Sequence, residues 1–194
     1  EIGNHSWSHP RLNEIDSAEL EMEVNDAFEK IEEEIGVAPF SFCYPFNKRN
    51  RDVDSVVFQR HYASRKSQKT YGGSKDANRH NQFVDDAIRE REWLVPMIHG
   101  IEDGWGHFTS RTVFESHLDY VKAREDSLWV APFGSVARYE SEREMTQVEI
   151  LNQIENAITF SLFCTLDSSV YNQKLTLVFP PVEEETVMAY DDNG

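Results

Sequence analysis

Cysteine is scarce in this sequence, with only Cys43 and Cys164 among 194 residues. Each sits in an apolar stretch, which reads as two buried free thiols. There is no disulfide framework and no CxxC pair for zinc or redox chemistry, so cysteine usage does not decide the compartment. No apolar run approaches the length of a membrane-spanning helix. Positive charge is also short: 19 Lys and Arg stand against 35 Asp and Glu, a formal charge of −16. Nucleic-acid binding through phosphate neutralisation is excluded as a main function, and anionic membrane surfaces are disfavoured. Neutral substrates, cations and metal ions remain. An initiator Met is missing, and Tyr190-Asp191-Asp192-Asn193-Gly194 reads as a strand running into a turn without a return strand. Both ends read as cut, so a longer parent protein is expected.

Aromatics are plentiful at 12%, and the composition is that of a folded globular chain. Asp16 and Glu19 form a capping box ahead of Leu20, Val24, Ala27, Phe28, Ile31 and Ile35, with Gly36 as the stop. A buried strand, Phe40–Tyr44, ends at Pro45, and a second helix follows over about 52–62 with Val53, Val56 and Val57 inward. Residues 64–82 read mainly as loop. Trp93–Ile98 and Leu128–Ala131 read as buried strands, which would put Trp93 and Trp129 in the core. A helix capped by Thr109 or Ser110 carries Phe114, Leu118 and Val121, and another runs over 136–143. Alternating strands and helices predict parallel βα units. After about residue 146 the period changes to two in Ile158–Leu166 and again in Leu175–Phe179, with Pro180-Pro181 ending the second run. This predicts an antiparallel β appendage over 146–194, separate from a domain spanning 1–145.

His5-Ser6-Trp7-Ser8-His9-Pro10 carries the strongest chemical signal. Two imidazoles four residues apart can converge on one metal ion, and Pro10 favours a loop over a continuing helix there. On spacing alone two unrelated histidines remain the alternative. His99 follows an apolar strand, and Trp105 lies in the Gly-containing loop after it. Trp105 is either a sugar platform, a wall of an acyl pocket or an ordinary buried aromatic. His107 reads as a solvated loop residue, His61, His80 and His117 have no partners in sequence, and Glu32-Glu33-Glu34 is a solvated helix face.

Glu1-Ile2-Gly3-Asn4-His5-Ser6-Trp7-Ser8-His9-Pro10 resembles the metal-binding motif of the polysaccharide deacetylase family, also called NodB-homology or carbohydrate esterase family 4. The resemblance implies an α/β fold, a distorted (β/α) barrel that is partial here, with His5 and His9 as ligands of Zn²⁺ or another divalent ion. Phe42-Cys43-Tyr44-Pro45-Phe46-Asn47 resembles the family's third motif, whose backbone N–H after the proline holds the oxyanion. By that resemblance Phe46 supplies the N–H, and Tyr44 and Pro45 line the substrate site with Trp105. Cys43 stands where the family has an arginine. Leu94–Gly100 resembles the motif that delivers a histidine general acid, here His99, and Leu128–Gly134 resembles a late strand and turn. The family's first motif, a D-D-G sequence giving the base and the third ligand, is expected before residue 1. Asp85-Asp86 and Asp191-Asp192 read as surface acids, and Asp103, in the loop after His99, is an acid within the chain that could serve as a substitute base.

The resemblance implies a metal-dependent hydrolase that removes acetyl groups from a polysaccharide. Metal-activated water attacks and a histidine protonates the leaving group. The implied partner is an acetylated polysaccharide or oligosaccharide, and the implied location is secreted or periplasmic. The alternative is a degenerate deacetylase-like scaffold that only binds carbohydrate, and a third reading is a structural metal-binding domain. Open sheet edges predict contacts with further copies of the chain.

Overall fold

The computed structural model describes residues 1–73, 75–105, 108–154 and 157–179. His107, Pro180-Pro181 and Asp191-Asp192 lie outside them. The chain divides into two compact units, Glu1–Ala137 and Arg138–Gly194. Helix gives way to strand between Met145 and Thr146.

In the first unit, helix α1 (Ser17–Glu21) begins where the capping signal lies. Asp16 Oδ1 accepts from the Ala18 and Glu19 N–H groups at 2.9 Å. The helix continues through a π-helical stretch, Met22–Asp26, into α2 (Ala27–Ile35). Gly36 ends it at φ 74°, a conformation that favours glycine. Leu20, Val24, Ala27 and Phe28 are buried as the periodicity predicts, but Ile35, in the last turn, is exposed.

Strand β1 (Ser41–Cys43) lies parallel between two neighbours. On one side Asn4 bridges Phe42; on the other, β2 (Ala63–Arg65) pairs in register, with Cys43 opposite Arg65. The helical run α1–α2 crosses from the Asn4 segment to β1, and α3 (Arg51–Val57) crosses from β1 to β2. These are the parallel βα units that the alternation predicts. Leu12, Leu20, Val24, Phe42, Tyr44, Val53 and Val57 form the core between them. Each large apolar side chain buried there contributes roughly 1.5–3 kcal/mol.

A second parallel pair joins β3 (Lys69–Thr70) to β4 (Pro96–Met97), crossed by α4 (Asn78–Glu90). The loop expected over 64–82 therefore holds most of β2, all of β3 and the start of α4. Its strands are too short to show a period. The inner face of α4 is His80, Val84 and Ala87, so a histidine occupies an apolar position and masks the helix pattern. Helix α5 (Arg111–Lys122) is capped by Ser110, whose hydroxyl accepts from the Val113 N–H at 3.2 Å. Its buried residue is His117, whereas Leu118 is exposed.

Leu128–Ala131 forms no strand, and Trp93–Ile98 contributes only Pro96–Met97. Trp93 and Trp129 are exposed rather than core residues, Trp93 stacking on Phe133 with ring centres 4.8 Å apart. Helix α6 (Phe133–Met145) is longer than expected. The Glu1 carboxylate accepts from the Gly134 N–H at 2.6 Å and from the Ser41 hydroxyl at 3.0 Å.

In the second unit, β5 (Thr146–Ile154) and β6 (Ala157–Cys164) form an antiparallel hairpin with an irregularity between Ile150 and Asn152. The appendage is thus antiparallel as expected, but the partner strand is Thr146–Ile154. Leu175–Phe179 forms no strand. Cys164 is exposed and Cys43 half-buried, so neither thiol is fully buried. Among the described residues β6 pairs only with β5, and with no layer packed on either face of that hairpin its alternation buries neither side.

Burial pushes His61, His80 and His117 below the ordinary imidazole range, with the neighbouring His80 helping to bring His117 down to about 4. The folded chain holds them neutral, while the unfolded chain takes up protons below about pH 6.5. Their contribution to stability is complete above that value and is lost as pH falls towards about 4. The melting temperature should therefore drop between pH 7.5 and pH 5.0, with a shallower slope in His117→Gln. A temperature unchanged across that range would contradict this.

Candidate functional site

The segment His5–Pro10 is a tight loop held from beneath by Asn4. The Asn4 side chain is 1% exposed, and its Nδ2 donates to the Val24 carbonyl at 2.9 Å and approaches His61 Nε2 at 3.1 Å. His61 Nδ1 donates to the Val57 carbonyl at 2.9 Å, so Nε2 is the acceptor for Asn4. Asn4 Oδ1 accepts from the Ser6 N–H at 3.0 Å. Its main chain donates to Ser41 and accepts from Cys43, both at 2.9 Å. Gly3 precedes it because a Cβ there would sit 2.9 Å from Ser41 Oγ.

Glu23 secures the other side of the loop. It is buried on the π-helical stretch, and its carboxylate accepts from the Trp7 and Ser8 N–H groups at 3.0 and 2.8 Å and from the Ser8 hydroxyl. Burial pushes this carboxyl up, but the Ser8, Ser6 and Trp7 hydrogen bonds outweigh it and hold the group below its ordinary range. The loop returns through left-handed backbone at Ser6 (φ 68°) and His9 (φ 65°).

The result is an edge-on pair: the His5 and His9 rings lie 4.7 Å apart at 74°. Both residues are exposed. His5 Nδ1 donates to the Cys43 carbonyl at 2.6 Å, which fixes the tautomer and leaves Nε2 with its lone pair free. Desolvation lowers the His5 pKa against the pull of that carbonyl, and His9, Arg65 and His99 push the same way by charge. A neutral imidazole with a free Nε2 is the form that ligates metal. The donor chemistry of the pair therefore fits a divalent ion, as two ligands. Among the described residues no group of three His, Cys, Asp or Glu side chains converges to complete a site.

Phe46 adjoins the pair, its ring 4.6 Å from that of His9, with the Arg11 guanidinium 5.2 Å above it. It adopts φ 54°, ψ 14° in the turn Pro45–Asn47. That turn is closed by the Asn47 and Lys48 N–H groups, each 3.0 Å from its acceptor, and the Phe46 N–H meets no acceptor among the described residues. Pro45 and Tyr44 do not present side chains to solvent. Pro45 is fully buried, and Tyr44 lies in the core with its hydroxyl donating to Asp54 Oδ1 at 2.7 Å. Tyr44 follows Phe42 in the strand alternation, so its ring faces the helices, which corrects its expected role in lining the substrate site.

His99 lies two residues beyond β4, at its carboxyl end, close enough for its charge to act on His5. Trp105, 72% exposed, packs edge-on against the His99 ring at 4.7 Å, which excludes the buried alternative. Asp103 accepts from its own loop's Gly104 N–H at 2.7 Å. Sequence reasoning overlooked Asn4, Glu23 and His61. Glu23 was detectable as a carboxylate one residue before Val24, on the apolar face of an amphipathic helix.

Residues 1–64 match the polysaccharide deacetylase family. The chain is similar to a gellan lyase from Bacillus sp, 21% identical over 216 residues, covering 91% of this chain and 9% of that protein. Among solved structures it is similar to the peptidoglycan deacetylase PdaC from Bacillus subtilis, 20% identical, TM-score 0.47, covering 74% of this chain and 66% of that one. It is also similar to a family 4 carbohydrate esterase from Streptomyces lividans in complex with acetate, 15% identical, TM-score 0.42, covering 64% and 60% of the two chains. The resemblance to the polysaccharide deacetylase, or NodB-homology, family thus holds on the segment that carries His5, His9 and Phe46.

Removing the Asn4 amide strands the Ser6 N–H and the Val24 carbonyl, at about 1–3 kcal/mol for each buried group left unpaired. Asn4→Ala should destabilise the chain by about 3 kcal/mol, read from the urea midpoint. A change within about 0.5 kcal/mol, the range of ordinary surface substitutions, would mean that Asn4 does not hold the loop.

Proposed function

We propose that this chain carries part of the active site of a metal-dependent deacetylase that removes acetyl groups from a polysaccharide or oligosaccharide. The observation that carries this reading is the His5–His9 pair, edge-on at 4.7 Å, with His5 Nδ1 tied to the Cys43 carbonyl. His5 and His9 would hold the ion through their Nε2 and other ring nitrogens, Zn²⁺ being the first candidate. When bound, such an ion supplies Lewis acidity to an acyl carbonyl and acidifies water.

The chain's own groups account for the remaining tasks. The Phe46 N–H, already oriented and without an acceptor, is suited to an oxyanion and needs no reorganisation to receive one. His99 is suited to protonate the departing alcohol or amine. Trp105, beside it and exposed, offers a flat apolar face to a sugar ring. Residues 1–145 are read as a deacetylase-like domain of distorted (β/α) barrel type and 146–194 as a β appendage. In that appendage β5 and β6 pair only with each other among the described residues, and their open edges suit contact with another copy of the chain. No helix among the described residues is long and apolar enough to cross a membrane, and a polymeric substrate suits a secreted or periplasmic protein.

A second reading, a carbohydrate-binding scaffold without turnover, is favoured by one observation: no acidic side chain joins the two imidazoles among the described residues. Acetate release from acetylated xylan and from chitin oligomers, with and without added Zn²⁺, separates the two. Zinc-stimulated release supports the deacetylase, and binding without release supports the scaffold. In the deacetylase case His99→Ala should lower turnover by about 10²-fold or more with metal content unchanged. Loss of metal would make His99 a ligand instead.

A further inference from the structure

Positive charge is scarce in this chain, and it is not spread evenly. Residues 36–75 hold eight of the 19 Lys and Arg but only two of the 35 Asp and Glu. That stretch builds β1, the Pro45–Asn47 turn, α3, β2 and β3, so its basic residues fall on the framework of the site. Among the described residues Lys48, Arg51, Arg65 and Lys66 enter no ion pair, whereas Asp54 neutralises Arg49 at 3.1 Å. Outside the stretch, Arg89, Arg111, Arg124 and Arg143 each meet a carboxylate oxygen within 3.3 Å.

The turn that carries Phe46 is flanked by this charge from three directions. Arg11, just after the histidine loop, lies over the exposed Phe46 ring, its guanidinium carbon 5.2 Å from the ring centre. The carboxylate paired with it, Glu14, stays 3.6 Å away in an exposed pair, beyond hydrogen-bond length and worth little. Lys48 follows the turn directly and is exposed, its N–H closing on the Pro45 carbonyl at 3.0 Å. Arg65 comes from β2, opposite Cys43, with Nη2 donating to Asn47 Oδ1 at 3.3 Å. The Phe46 N–H and the His5–His9 pair therefore lie beside a rim of positive charge.

We propose that this site takes an anionic glycan, one whose sugar units carry carboxylates as uronic acids do, with Arg11 and Lys48 as the residues that select for the charge. The proposal rests on the deacetylase reading for the ligand being a glycan; the charge pattern itself asks only for anionic groups beside the Phe46 turn. Arg11 suits the task because its planar fork matches a carboxylate with two parallel hydrogen bonds, and the Phe46 ring holds it at the rim beforehand. The net charge of −16 does not oppose this. At about 0.15 M salt, charges more than about 8 Å away are largely screened, so a sugar beside Phe46 feels the rim rather than the acidic remainder. Where a polyanion touches that remainder it is repelled, which confines it to the rim.

The test titrates the chain with glucuronoxylan oligosaccharides and with the same oligosaccharides after carboxyl reduction, which keeps size and linkage but removes the charge. The charged form should bind at least about tenfold more tightly, the worth of one charge-assisted hydrogen bond. That advantage should shrink as ionic strength rises to about 0.5 M. Arg11→Glu and Lys48→Glu should each lose most of it, whereas Lys30→Glu, the same charge change on α2, should keep it. Equal affinity for the two forms, no binding of either, or an equal loss in Lys30→Glu would overturn the proposal. A single-stranded DNA oligomer binding as tightly would make the rim a general polyanion surface and overturn it too. Should Arg11→Glu lose the native fold, Arg11→Gln should still cut the advantage severalfold, and an undiminished advantage would count equally against it. A charge preference without acetate release from any acetylated glycan would leave the proposal standing and defeat the deacetylase reading alone. Acetate release with equal binding of both forms would do the reverse.

Discussion

Everything at the site depends on one buried side-chain amide. Asn4 ties together three parts of the first unit that are far apart in sequence: the Val24 carbonyl of the helical run, His61 after α3, and the loop through the Ser6 N–H. Its main chain extends the parallel pairing of β1 and β2 by one bridge. Two histidines on an otherwise unsupported loop would sample many orientations and lose entropy on ligation. Held by Asn4 and Glu23, they meet before any ligand arrives.

Strand register then distributes the chemistry. The bridge at Phe42 puts the Cys43 carbonyl beside His5, and the parallel pairing puts Arg65 across from Cys43. The short turn after β1 exposes Phe46 while burying Tyr44 and Pro45. His99 enters from the end of β4, with Trp105 against it. Four separate chain segments supply the groups, and their common feature is position at or near the carboxyl ends of parallel segments. That is where open α/β sheets leave a crevice for ligands.

Much of this was legible in the sequence, for identifiable reasons. The helix over Ser17–Ile35 was detectable because its cap, its apolar period and its terminal Gly36 agree. The His5–His9 convergence followed from a dense motif. What escaped were features that exist only through pairing. Two- and three-residue strands such as β3 and β2 carry no period. Helix α4 hid because His80 takes an apolar position. Leu128–Ala131 has strand composition but lies unpaired, and Leu175–Phe179 alternates without a partner.

The central claim is that a preformed imidazole pair is half of a divalent-metal site. X-ray absorption at the zinc edge of the zinc-loaded chain tests it most directly. The account predicts two imidazole nitrogens at about 2.0–2.1 Å, with that histidine signature lost in His5→Ala and His9→Ala. Zinc bound without imidazole, or an unchanged spectrum in both variants, would contradict it.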